Sequence, residues 1–269
     1  MPVSRRIVVL AALAVSVTQL AAQAPCACPP KPADPPKPPY TLSADFALAQ
    51  ASGNQDVLTT SLGEKFTYQW PKWRFTQTAN LVYGRANGIT NAQLFTGGVR
   101  ADYTLRANLT AFARFDALRN VPAGLASVLN QAVGLSWTLV KDERDELRFD
   151  VGVGALQRRF VAVAGAVQPS ESDFVGNVDG YYRHKFSDVA YFEQTVNVVP
   201  NFTTTSGWLA TARSSLVAPL SQRIGIKLGY LATFNNAPGL LPATPPIRPL
   251  PVRAQKFDGL FTAGLQFTL

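Results

Sequence analysis

Residues 147–154 read Leu-Arg-Phe-Asp-Val-Gly-Val-Gly. Leu147, Phe149, Val151 and Val153 alternate with Arg148, Asp150, Gly152 and Gly154, the period of two that sends successive side chains to opposite faces of a strand. One face is apolar, and the other carries charge or no side chain at all. The split recurs on either side of this segment. Val133, Leu135, Trp137 and Leu139 oppose Gly134, Ser136 and Thr138, and Ile224, Ile226, Leu228 and Tyr230 oppose Gly225, Lys227 and Gly229. At the end of the chain Phe257, Phe261, Leu265, Phe267 and Leu269 oppose Asp258, Thr262, Gln266 and Thr268. The alternation predicts about twelve strands, near 42–51, 57–69, 73–85, 92–105, 107–118, 130–141, 146–160, 172–186, 189–199, 205–218, 223–235 and 255–269.

Only 16% of the 269 residues are charged. Past the N-terminus no stretch reaches the roughly 18–20 apolar residues of a membrane helix, which leaves a closed barrel as the other spanning structure lipid permits. A soluble barrel would turn its apolar faces inward, and twelve strands enclose more room than side chains can fill. The expected fold is therefore all-β, a closed antiparallel up-and-down transmembrane β-barrel of about twelve strands over residues 42–269. Connection lengths support it. Pro71-Lys72, Arg106, 142–145, Ser187-Asp188 and Ser221-Gln222 make tight polar turns, while 86–91, 120–129, 161–171 and 235–254 are longer and rich in Gly, Asn and Pro. Short periplasmic turns and longer outer loops are the membrane-barrel pattern. Aromatic residues gather at two levels, as interfacial girdles do. Tyr68, Trp70, Trp73, Tyr103, Tyr182, Phe186 and Tyr191 lie near short turns; Tyr83, Phe115, Phe160, Phe174, Phe202, Trp208, Phe234 and Phe257 lie near long loops.

Residues 1–22 read as a signal peptide, with Arg5 and Arg6 before the apolar Ile7–Val17 segment and cleavage expected after Ala22. Export with a barrel implies the bacterial outer membrane, with its lipid as one partner. Residues 23–41 form a Pro-rich periplasmic linker, with eight prolines between Pro25 and Pro39. Cys26 and Cys28 are too close for an unstrained bridge and lack the spacing of a metal site; they carry no assigned role. Losing Arg5 and Arg6 leaves 23 basic against 17 acidic residues, a net charge of +6. Without a Lys/Arg-rich run this excess implies no nucleic-acid partner.

The one histidine, His184, falls on the lipid face with Phe186. No nucleophile–base arrangement, metal cluster or phosphate-binding glycine loop appears, so neither enzyme activity nor a cofactor is expected. The lumen holds the candidate residues. Inward parity collects Lys65, Arg74, Arg100, Asp102, Arg114, Asp116, Arg148, Asp150, Asp179, Arg183, Glu193, Arg213, Lys227 and Asp258, with Asp45, Arg158 and Lys185 beside them. Arg-x-Asp occurs at 100–102, 114–116 and 148–150, placing opposite charges on one face. Two functions fit. Such a lumen conducts small polar solutes with a mild anion preference, or its charges cross-link and brace a closed structural barrel that presents outer loops and a periplasmic tether. Glu64 shares parity with Leu62 and Phe66, which points it to lipid unless a bulge at Gly63 turns it inward. The segment 235–254, with six prolines, is a candidate to fold into the mouth.

Placed in order, several short motifs resemble the family of salt-stress-induced outer-membrane proteins (YdiY-like), a domain of unknown function. They are Ser52-Gly53-Asn54, Tyr68-x-Trp70-Pro71-Lys72, Gly152-x-Gly154, the run from Tyr182 to Asp188, and Pro219-Leu220. The resemblance spans roughly residues 42–269 and implies an outer-membrane barrel without established substrate or catalytic residues. Such barrels usually end in an aromatic residue read by the barrel-assembly machinery through the C-terminal strand. This chain ends in Leu269, with Phe267 two residues before it.

Overall fold

A computed structural model of the chain describes residues 38–51, 57–86, 89–166, 168, 170–187, 190–221, 223–241 and 250–268. The signal peptide, most of the Pro-rich linker with Cys26 and Cys28, Ser52-Gly53-Asn54 and Leu269 lie outside the described residues. The strands are β1 (Tyr40–Ala51), β2 (Val57–Gln69), β3 (Trp73–Ala86), β4 (Ile89–Arg106), β5 (Leu109–Asn120), β6 (Leu125–Lys141) and β7 (Asp145–Phe160). They continue as β8 (Glu171–Lys185), β9 (Tyr191–Val199), β10 (Leu209–Pro219), β11 (Ile224–Asn235), β12 (Leu240–Leu241), β13 (Val252–Arg253) and β14 (Phe257–Thr268). Twelve of them close a barrel in the order β1-β14-β11-β10-β9-β8-β7-β6-β5-β4-β3-β2. Every neighbouring pair is antiparallel, and β1 closes the ring on β14 with Phe46 opposite Leu265. The strands β12 and β13 form a separate two-stranded ribbon inside the last connection.

Register fixes the faces. Val133 pairs with Val153 and Leu135 with Val151 on the outside, while Gly134 pairs with Gly152 on the inside. A Cβ on either glycine would meet the backbone of the adjoining strand and the Phe112 ring. The two glycines thus make a bed for Phe112 against the inner wall. Outside, Leu62, Leu81, Phe95, Val133, Val153 and Phe261 are between 44% and 65% exposed. A girdle of large apolar side chains around a closed sheet is a surface suited to lipid, where backbone groups have no water to bond.

Three features depart from the sequence reading, and one alternative it left open is decided. The strands β4 and β6 start earlier than expected, so the connections before and after the β4–β5 hairpin are short. Register shifts at Gly84/Arg85 and Leu125/Ser127 interrupt the alternation there and hide the strand starts. Between β5 and β6 lies only a 3-10 turn, Val121–Ala123, capped by the Asn120 side chain accepting from the Ala123 N–H at 3.2 Å and ended by Gly124 at φ 78°. Phe160 and Tyr191, read as girdle aromatics, point inward: Phe160 packs on an inner apolar cluster and Tyr191 bonds Gln266. The open alternative is Glu64: β2 runs without a bulge, with Glu64 opposite Ala44 and Ala79, so Glu64 faces outward beside Leu62 and Phe66 as its parity implies.

Candidate functional site: the barrel interior

The register puts all fourteen candidate side chains, Lys65, Arg74, Arg100, Asp102, Arg114, Asp116, Arg148, Asp150, Asp179, Arg183, Glu193, Arg213, Lys227 and Asp258, on the inner face. They do not share one environment. Against the β4–β9 wall the charges are locked together. The Arg100 guanidinium donates to Asp102 at 2.8 Å and reaches over two strands to Asp150, which also accepts from the Ser136 hydroxyl. Arg148 lies 3.4 Å from the same carboxylate, and Arg100 stacks over Phe112 at 4.2 Å from the ring centre. One level along, Arg114 donates to Asp179 at 2.8 Å and to the Asn177 carbonyl at 2.6 Å, while keeping Asp116 at 3.3 Å. Asn130 and Asn197 complete that node by donating to Asn177 and Asp179. The Asp150 and Asp179 side chains are 3% and 9% exposed. Charges so enclosed persist only when paired and hydrogen-bonded.

Toward the long-loop end the same wall turns apolar, with Leu125, Val128, Leu156, Val175 and Val199 packed against Leu118, Phe160 and Leu209. Beside this cluster Arg158 is fully buried, with Glu171 at 2.6 Å and Asp173 at 3.4 Å. Asp173 also accepts from Asn201, which ties the β9–β10 connection to the wall.

Near the short-turn end, side chains reach between strands, and one pair spans the lumen. Lys65 on β2 meets Glu193 on β9 at 3.7 Å, and Glu193 accepts from Tyr181 at 3.0 Å. Gln266 on β14 donates to the Tyr191 hydroxyl at 3.0 Å, and Lys227 on β11 donates to Asp45 on β1 at 2.6 Å. Arg183 stacks over Tyr191 at 4.0 Å. Five barrel steps separate β2 from β9 along this side of the ring, so the Lys65–Glu193 contact is a true crossing.

The opposite wall is built differently. Its inward positions hold mostly small residues: Gly225 and Gly229 on β11, Thr262 and Gly264 on β14, Ser61 and Gly63 on β2, and Thr76 and Thr78 on β3. Arg213, inward on β10, is solvent-exposed and has neither ion pair nor hydrogen bond among the described residues. Asp258 is exposed as well, and the side chains of Lys65 and Asp116 are 44% and 48% exposed. A side chain enclosed by a barrel yet open to solvent borders an internal water space.

The described parts of the last connection, residues 236–241 and 250–256, lie at the long-loop end. From β11 and β14 they reach the opposite wall, where Gln168 in the β7–β8 connection holds Leu240 on both sides. The Gln168 amide donates to Leu240 O at 3.1 Å and accepts from Leu240 N–H at 2.6 Å, and it also donates to Val161 O at 2.7 Å. Gly239 lies against Phe160, and Leu241 against Gly124. Ala254 N–H donates to Gly239 O at 2.9 Å, which keeps the two arms of the strap together. Sequence parity did not single out Asn130, Ser136, Asn177, Asn197, Tyr181, Gln168 or Gln266. Inward parity was available for six of them, but neutral polar residues look like filler until their partners are known. His184, outward as expected, is 2.8 Å from Asp145 and edge-on to Phe186.

A sequence-family model described as a protein of unknown function, DUF481, matches residues 44–239, and the chain belongs to that family. No curated protein matches the chain in sequence. Among solved structures it is similar to the NanC porin, with 14% identity and a TM-score of 0.47 over 85% of this chain and 100% of that one. It is also similar to an anion-selective porin from Comamonas acidovorans, with 9% identity and a TM-score of 0.39 over 86% and 98%. A third is the translocator domain of the autotransporter NalP from Neisseria meningitidis, with 11% identity and a TM-score of 0.37 over 85% and 86%.

Proposed function

We propose that this DUF481 member is a small-solute pore of the bacterial outer membrane, taking polar solutes with a mild preference for anions. The observation that carries the reading is Arg213, an inward guanidinium beside the wall of small residues that is open to solvent and has no ion pair or hydrogen bond among the described residues. A pore needs a wetted path with charges solutes can meet and leave, and the solvent-open inward side chains supply such charges. Of the exposed inward charges, Lys65 keeps Glu193 and Asp116 keeps Arg114, which leaves Arg213 as the cation a passing anion meets. In this reading the N-terminal signal delivers the chain, the Pro-rich linker stays periplasmic, and the assembly machinery engages β14. The resemblance to salt-stress-induced barrels fits a role in envelope stress. No catalytic step or cofactor is assigned.

A second reading, a closed structural barrel, draws on the Lys65–Glu193 crossing and on the strap latched by Gln168. Planar-bilayer recording of the purified, refolded chain separates the two. Discrete steps with anion-biased reversal potentials support the pore. Silence at either polarity, from protein that is folded by heat-modifiability on gels, refutes it in favour of the closed barrel.

A further inference from the structure

The outer wall carries a built cleft at its short-turn rim. Trp70, Pro71, Lys72, Trp73, Phe75 and Tyr103 are the main residues lining a cavity of about 720 Å³, within the range of roughly 300–1,000 Å³ typical of small-molecule sites. The turn that shapes it is tightly held. Trp70 N–H donates to Trp73 O at 2.7 Å, and the Gln69 side chain donates to Trp70 O and accepts from Arg74. Thr104 N–H donates to Lys72 O at 2.8 Å, pinning the turn to β4. Trp70 rests on Tyr68 with ring centres 4.2 Å apart, and Trp73 on Tyr103 at 4.9 Å. The two tryptophans are nonetheless half exposed, at 48% and 49%. A rigid apolar cleft opens where the apolar girdle meets water, with Lys72 on its rim and Arg106 exposed at the adjoining turn. The β2–β3 and β4–β5 turns contain no acidic residue, whereas the β6–β7 turn holds Asp142 and Glu143.

We infer that this cleft is a binding site for an anionic phospholipid. One acyl chain lies against Trp73, Phe75 and Ala101, and the headgroup phosphate meets Lys72 and Arg106. Charge complementarity selects this occupant over a zwitterionic lipid or a second copy of the chain: the sector is basic at its water edge and apolar below, as a phospholipid is anionic above and apolar below. The site does not depend on the pore reading.

The test is quenching of tryptophan fluorescence by lipids with brominated acyl chains, using the full chain in vesicles of zwitterionic phosphatidylcholine. Trace brominated phosphatidylglycerol is compared with trace brominated phosphatidylcholine. In a variant retaining Trp70 and Trp73 (Trp137→Phe, Trp208→Phe), the anionic lipid quenches with about five-fold preference, as a basic residue near anionic lipid gives. In the reciprocal variant retaining Trp137 and Trp208 there is no preference. Lys72→Gln with Arg106→Gln brings the first preference to parity while leaving the heat-modified mobility of the barrel unchanged. Equal quenching by both lipids at Trp70 and Trp73 overturns the proposal, as does loss of quenching on formation of a cross-linked dimer through this face.

Discussion

Gln168→Ala releases the strap from the far wall. Gln168 makes two hydrogen bonds to Leu240, one as acceptor at 2.6 Å and one as donor at 3.1 Å, and its third bond, to Val161, stays within its own connection. Each such bond is worth about 0.5–1.5 kcal/mol net, so the attachment weakens by about 1–3 kcal/mol. That multiplies the detached population about five- to 150-fold. The Leu241 and Gly239 packing remains and sets the lower end of the range. Hydrogen exchange in lipid vesicles reads this directly: protection of the Leu240 amide falls by that factor, while the amides of β6 and β7 are unaffected. Gln168→Glu retains the acceptor for Leu240 N–H and gives a smaller fall. Conductance supplies an independent readout, since a strap that narrows the mouth raises open-state current when freed. Unchanged protection at Leu240 in Gln168→Ala refutes the latch, whatever the conductance does.

Three further outcomes follow from the interior. Arg213→Glu reverses the charge facing the water space and shifts the reversal potential in a salt gradient from anion- toward cation-selective; an unmoved potential shows that ions do not pass Arg213. Arg100→Ala strands Asp102 in the braced wall, leaves Asp150 with only Ser136 and Arg148, and costs about 3–5 kcal/mol, seen as a lowered urea midpoint for unfolding from vesicles; a loss below about 1 kcal/mol means the network is not holding the wall. Gly134→Val places a side chain against the β7 backbone and Phe112 and costs about 1–3 kcal/mol by overpacking, measured the same way, with Gly180→Ala, whose Cβ meets nothing within 4 Å, as the tolerated comparison.

The barrel was legible because alternation is a local property. Leu147 to Gly154 show both faces within eight residues, and the same rule assigned every charged lumen candidate to the inner face. Where the pattern broke, the cause was local too. The register shifts beside Arg85 and Ser127 put two residues against one, so a period of two lost phase and the starts of β4 and β6 were read as loop. What alternation does not contain is the partner of an inward side chain. Arg100 and Asp150 are fifty positions apart and Lys65 and Glu193 further still, and their meeting depends on barrel stagger and diameter. The Arg-x-Asp repeats gave the right chemistry, yet Arg100 also spans to β7 and Arg114 to β8. The wall of small residues was equally hidden, because it gathers glycines, serines and threonines from strands far apart in sequence. The ribbon of β12 and β13, two residues each, is too short to show a period, and Gln168 is one glutamine among loop residues.

The most direct test of the central claim, a water-accessible path inside an apolar-outward barrel, is thiol accessibility at neighbouring positions on β10. In a background lacking Cys26 and Cys28, Arg213→Cys and Ala212→Cys are exposed to a charged, membrane-impermeant thiol reagent after insertion into vesicles. The register places Arg213 inward and Ala212, opposite Val196 and Ala232, outward. Modification at 213 with a stepwise fall in conductance, and protection at 212, is the predicted result. Equal labelling of the two positions, or labelling at 212 alone, contradicts it.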